Sequence, residues 1–596
     1  MLCSKPPEAA PDRSRLPLDQ AYYLQGISRL VMGDCAPALE SLKKMTEQSP
    51  QLTRPGAVLV RARALIRCNQ PKVAESVLGE SALLDSRNAA IPMLRALLAA
   101  RRRDYYSAGD LLKKAEDLYR LRDQREGMGQ VLLYRAVFLE EQNRLDEATQ
   151  ALDQAFDIAR TSPNPLLRVR VLLERGLVLR QRGDMASAEQ QTASAMQLAN
   201  QSGLDTLSLQ ALFAAGNIHL KRYELSLAEN QFIRALDIAE RFRNQESIAR
   251  AQLSLGSVYV STGQADKAIQ TIQAAMPFFE RAGLVRNVVT GNLLVGQALI
   301  INNEFVEAEK ILSTQLEYAR KAQDVEREAV VRETLATAQA ELGDIPTALE
   351  NYESTLKIHK AAGKKRSLVY ALSNASDMQS RLGRFQAAAA NLAEARRVAS
   401  EIEKDPADLY QRVAMAAAVN ALRSGNYNAA ISASKDALRP LLSQSGSRQT
   451  QLEAVLCNAI AMTPQRSAAP AHCEKALKLA QSAGRQAKFD AQLLAAQAYL
   501  QTGSPKEALA NSALVAEELA KRKCPEGSWR AYVISANASN SLGQLEEAKM
   551  FYREASRQLE FFRIKISGQD FDHWLKRADV RLFKDQLPQA KERMNQ

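Results

Sequence analysis

The chain repeats itself every 40 residues. An alanine recurs at Ala108, Ala148, Ala188, Ala228, Ala268, Ala308, Ala348 and Ala388, each 40 residues after the one before. The same register extends outward to Ala38 and Ala74 on one side and to Ala430, Ala469, Ala508 and Ala548 on the other, with slightly irregular steps at both ends. A period of this size means that one small supersecondary unit is stacked on itself, so 596 residues need not divide into several independent cores. Irregular terminal units are expected where an array must present a polar outer face.

Around each anchor alanine the residue types are those of a helical hairpin. Twelve residues earlier stands a small side chain, among them Gly26, Ala62, Gly176, Gly216, Gly256, Gly296, Ser376 and Cys457. A small residue on each helix lets two backbones approach closely, which is why glycine is accepted there despite its cost in a helix interior. Seven residues after the anchor another small residue recurs, as at Ala155, Ala195, Ala235 and Ala275, on the face turned to the next hairpin. Five residues before the anchor come Gly33, Gly183, Gly263, Gly343, Gly383, Gly425, Gly503 and Gly543, or Asn69, Asn143 and Asn303, residues that tolerate a left-handed helix end. Gly203, Gly283, Gly363 and Gly484 are placed to end the second helix in the same way. Each unit thus reads as a helix, a tight turn, a longer second helix and a short loop. The unit at Ala469 departs from this, because Thr463-Pro464-Gln465-Arg466-Ser467 replaces the turn and Pro470 follows the anchor; a distorted hairpin is expected there.

The spacing of small residue, anchor and second small residue, with Leu255-Gly256, Tyr259 and Gly263-Gln264-Ala265-Asp266-Lys267-Ala268 as its fullest instance, resembles the tetratricopeptide repeat. The resemblance runs from about Leu18 to Phe562. It implies an all-α, right-handed α-solenoid of about fourteen antiparallel hairpins, and a protein-binding role. The organisation expected is a disordered tail over 1–17, the solenoid over 18–565 and a C-terminal capping helical segment with a short tail over 566–596. That last segment carries Phe571, Trp574, Leu575, Val580, Leu582, Phe583 and Leu587 and is expected to seal the end of the stack.

No residue constellation points to chemistry. The four histidines, His219, His359, His472 and His573, lie in different units without metal-type spacing, and no phosphate loop or nucleophile elbow is present. The expectation is a chain that is not an enzyme, with no cofactor, no metal and no catalytic residue. The six cysteines have no CxxC spacing and read as small core residues, although Cys457 and Cys473 fall close enough in one hairpin for a disulfide to be conceivable. The net charge of +12 is modest over this length, and its short basic clusters, such as Lys364-Lys365-Arg366, suit solvated helix ends. Nucleic acid is therefore not the expected partner, and a binder exploiting that charge stands only as an alternative. No run of about 18 apolar residues would cross a membrane. The expected location is the cytoplasm; were Cys3 the residue after a removed leader, it would instead be a lipid anchor in the periplasm.

Function must then reside on a surface. In the hairpin of Gly256, the first-helix residues that face the groove of such a stack are Arg250, Ser257 and Ser261, which lie six before, one after and five after the small contact residue. The same positions elsewhere give Arg170, Gln210, Asn217, Lys221, Gln297, Tyr370, Asp377, Arg381 and Arg412. Such side chains recognise the backbone and charges of an extended segment. Beside them runs an apolar stripe, Leu133, Leu173, Phe213, Leu253 and Leu293, at the border between core and groove. The expected partner is another protein, held as a peptide or helix by a scaffold or adaptor in bacterial signalling or assembly. The alternative is a regulatory partner of a signalling enzyme, a kinase or CHAT-type protease, for which the Trp574 segment is the support.

Overall fold

The structure, a computed structural model, describes residues 17–32, 35–49, 54–79, 88–402, 407–439, 446–566 and 568–584. Gly33, Cys3, Leu587, and the tails proposed at both ends beyond Pro17 and Lys584, lie outside the described residues. Among the described residues there are thirty α-helices and no strand. Twenty-eight of the helices follow one another as fourteen hairpins, and two short ones, Gly568–Trp574 and Ala578–Lys584, follow the last hairpin.

The register read from the sequence is the packing register. None of the fourteen anchor alanines is more than 3% exposed. The small residue twelve before each anchor meets the anchor's own turn of helix. Ser376 Oγ donates to the carbonyl of Ala388 at 2.9 Å, and a Cβ built on Gly176 would lie 3.3 Å from the carbonyl of Ala188. At Gly216 such a Cβ would come to 2.5 Å from the ring of Phe232, four residues past the anchor Ala228. The hairpins therefore close on bare backbone, and a larger side chain would wedge them apart.

Helix ends are set by local chemistry. Asp104, Asp184, Asp344 and Asn426, each four residues before an anchor, cap the second helix by accepting from the amide three residues on; Asn244 and Asp324 do the same for first helices. The turn glycines take the left-handed conformation the break requires, as Gly183 at φ 84° and Gly263 at φ 75° show. Asn69, Asn143, Asn303 and Asp123 share it, but so do Arg103, Tyr223, Arg243, Gln323 and Lys523, which nothing in their side chains announces.

Three sequence expectations need correction, and a fourth is met. The two helices of a central unit are equal, 17 residues each in Gln245–Ser261 and Ala265–Arg281, because the loop after the second helix is as tight as the hairpin turn. Gly484 does not end a helix in the left-handed region; the short helix Ala469–Ala480 stops before it, and Gly484 precedes the next helix at φ −58°. The distorted hairpin is real, with a 3₁₀ turn at Arg466–Ala468 feeding that helix and Pro470 in its first turn. Finally, two cysteine pairs are disulfides. Cys457 and Cys473 join the two helices of one hairpin with Cα atoms 5.0 Å apart, and Cys35 and Cys68 join 33 residues apart in sequence with Cα atoms at 5.6 Å. Cys524 is a buried free thiol.

The chain divides into two compact units, one of residues 1–262 with 270–288, the other of 263–269 with 289–596. Each has its own surface and is taken separately below.

Candidate functional site

In the first unit the named groove residues stand on successive first helices. Gln210, Asn217 and Lys221 are exposed on Asp205–Lys221, and Arg250 is exposed on Gln245–Ser261. Arg250 lies with its guanidinium 4.8 Å from the ring centre of Phe213, and the half-buried Arg170 lies in the same way 5.3 Å over Tyr134. Both arginines occupy the position six before the small contact residue, and each stacks on an aromatic from the preceding first helix. The stripe residue Phe213 is thus more than packing, since its ring fixes an exposed cation in place. Leu133 is buried, whereas Leu173, Leu253 and Leu293 are half-buried.

The second unit uses the same register differently. The positions six before, one after and five after the small residue supply Glu341, Asp377, Arg381, Arg412, Arg423 and Asp490, and all six line one cavity of about 390 Å³. Gln297 is half-buried on Val285–Ile301 and is not among the lining residues. Tyr370 donates its hydroxyl to Asp408 at 3.0 Å, and its ring carries Arg412 at 4.7 Å, a third instance of the arginine stacked on the preceding first helix.

Inside this cavity most charge is already spoken for. Arg381 is buried, ion-paired to Glu526 at 2.7 Å and to Glu341 at 2.9 Å, and it donates to the carbonyl of Ala340. It is therefore a brace for its own chain, not a side chain offered to a partner. Asp377 pairs with Arg423 at 2.6 Å. Arg577, 1% exposed, reaches in from the C-terminal segment, grips Asp579 with two hydrogen bonds and meets Glu526 at 2.5 Å. Burial opposes ionisation of Glu526, but Arg381 and Arg577 outweigh it and hold its carboxyl well below the usual range. Among the described residues Asp490 forms no ion pair, and the pull of Arg381 and Arg423 on it is outweighed. Burial, then the nearby Glu341, push it up to about 7, and it accepts only from the amides of Gln451 and Gln486.

Glu526, Arg577 and Asp579 were not visible in the sequence as site residues. Their partners lie 145 and 196 residues away for Arg381 with Glu526 and with Arg577. The C-terminal segment also packs beyond the last hairpin. Trp574, 0% exposed, sits among Trp529, Phe562 and Phe571, and the carbonyl of His573 lies against Gly383, where any side chain would collide with it. Trp574 is thus part of the unit's own core. Of the histidines, His219, His359 and His472 each face a glutamate, Glu224, Glu333 and Glu453. Among the described residues no cluster is placed to hold a metal, and no helix is long and apolar enough to cross a membrane.

Residues 249–276 and 530–557 match the family profile described as tetratricopeptide repeat. The chain carries tetratricopeptide repeats. Residues 93–165 and 335–415 of these repeats also match the profile of anaphase-promoting complex subunit 5. No curated protein is similar to the chain in sequence. Solved structures similar to the repeats include the apo form of RapI, at 13% identity and TM-score 0.45, covering 59% of this chain and 98% of that one. Aspartyl phosphate phosphatase F from Bacillus subtilis matches at 14% identity and TM-score 0.42, with 59% and 95% covered. The Cut9–Hcn1 hetero-tetramer of the APC/C matches at 15% identity and TM-score 0.39, with 89% and 96% covered. Repeats of this kind build surfaces for protein interaction.

Proposed function

We propose that the chain is a non-enzymatic scaffold or adaptor, which holds an extended segment or a helix of a partner protein against the first helices of its first unit. The observation that carries this reading is the row of exposed Gln210, Asn217, Lys221 and Arg250 on two successive first helices, with Arg250 held flat on Phe213. A cation ordered before binding loses less side-chain freedom when a partner arrives, and several such weak contacts add along one preformed surface. The partial match to a subunit of a multiprotein complex supports the same reading. In bacterial signalling or assembly, such a chain would bring components together without chemistry of its own.

Affinity capture with mass spectrometry tests it, comparing the native chain with a variant carrying Arg170→Ala, Asn217→Ala and Arg250→Ala and with an outer-surface variant at Asn230 and Arg234. Partners lost from the first variant and kept by the second support the reading; identical partner sets from all three overturn it.

A further inference from the structure

The cavity of the second unit is lined by five arginines and five carboxylates, and their pairing is uneven. Arg381, Arg423, Arg530 and Arg577 each form an ion pair with Glu526, Glu341, Asp377 or Asp579. Among the described residues Arg412 pairs with no carboxylate. Its Nη2 donates to the amide oxygen of Asn374 at 2.5 Å, its Nε is buried without an acceptor, and its plane lies over Tyr370. The remaining carboxylate of the lining, Asp490, is not among the charges that act on Arg412, and Glu333, which does act on it, forms no ion pair with it.

A desolvated guanidinium with no counter-ion is costly, whereas its planar fork of donors matches a carboxylate bidentately. Tyr370, itself fixed by Asp408, holds that fork in one orientation. Part of the wall is apolar, with Met415, Val419, Phe489, Leu493 and Leu494. A volume of about 390 Å³ falls at the small end of ligand pockets.

We propose that this cavity is a binding site for a small organic monocarboxylate with an apolar body, its carboxylate held by Arg412 and its body by Met415, Val419, Phe489 and Leu493. The site is separate from the partner surface of the first unit, and it stands whether or not that surface binds a protein.

Titration calorimetry on the full chain with hexanoate and phenylacetate tests the site, against hexanamide and phenylacetamide as neutral isosteres. The expected result is saturable binding of an acid at one site per chain, weakened at least about tenfold for its amide and in Arg412→Gln, the scale of one lost charge-assisted hydrogen-bond pair. The acid–amide comparison needs no variant, so a poorly folded Arg412→Gln does not blunt the test. A peptide ending in Leu-Phe with a free C-terminus, run beside its C-terminal amide, separates a chain end from a small acid. No binding by either acid, equal binding of acid and amide, unchanged binding in a folded Arg412→Gln, or binding of the peptide alone would each overturn the assignment.

Discussion

Arg381 and Glu526, 145 residues apart in sequence, meet at 2.7 Å with both side chains buried. The pair fixes the first helix Lys365–Arg381 to the first helix Pro525–Ser541 across the interior of the second unit. Breaking a buried pair strands the surviving charge and costs about 3–5 kcal/mol. The two single replacements are not equivalent, because Glu526 also holds Arg577. Arg381→Gln leaves Glu526 with one arginine, whereas Glu526→Gln leaves two arginines facing a neutral amide. Urea unfolding is therefore expected to show Glu526→Gln as the more damaging, and the double replacement as less damaging than the sum. Equal, additive losses would mean that the pair carries no coupling.

The glycines divide by what they touch. Gly216→Ala would drive a methyl into Phe232 and is expected to lower stability by about 1–3 kcal/mol, the scale of an overpacked core. Gly109, in the helix Tyr105–Leu121, has nothing within 4 Å of a built Cβ, so Gly109→Ala is expected to stabilise by about 0.5–1 kcal/mol. Thermal unfolding of the two variants side by side checks both signs.

The interior carboxylates give a pH profile with two slopes. Asp490, raised by burial and by Glu341 to about 7, holds its proton more tightly folded than unfolded, so its contribution to stability falls as pH rises from about 4 to about 7 and is flat above. Glu526 is opposite in sign: held well below its ordinary range, it stabilises above about pH 4.5, and that contribution is lost as pH falls through its folded pKa. Asp490→Asn removes its own share of the first slope and leaves that of Glu174, which burial likewise pushes up to about 7. Relative to the native chain, its stability is expected to rise by up to about 1.4 kcal/mol per pH unit between pH 5 and 7 and to change little from 7 to 8. Denaturant midpoints measured across that range would show it.

Cys457 and Cys473 close a loop of 16 residues, for which the chain-entropy account gives about 3 kcal/mol. Reduction opens this bridge and Cys35–Cys68 together, so it is expected to lower the unfolding midpoint by more than the one loop accounts for. Thiol titration of the unfolded chain before and after reduction should differ by four thiols, those of the two bridges.

The repeat was legible because it is local. Ala188, Gly176 and Gly183 sit at fixed offsets, and each answers a need met within a single hairpin: close approach, burial or a left-handed turn. The same offsets placed Asp377, Arg381 and Arg412 on one interior surface. What escaped is whatever depends on distant units. Arg381 looked like a groove side chain because nothing in its neighbourhood announces Glu526 or Arg577. Cys35 and Cys68 share no recognisable spacing, and their approach follows only from how one hairpin lies on the next. Tyr223 and Lys523, both exposed, take left-handed turns at offsets where other units carry glycine, because the helix break there sets the backbone whatever the side chain.

A photo-crosslinking residue in place of Asn217, on a first helix, and another in place of Asn230, on the second helix Leu225–Arg241, would test the proposed partner surface most directly, since both positions are exposed. The account predicts a partner crosslinked through position 217, with little or none through 230, and the crosslink lost when Arg250 is replaced by Ala. Crosslinking through 230 alone, or through 217 regardless of Arg250, would contradict it.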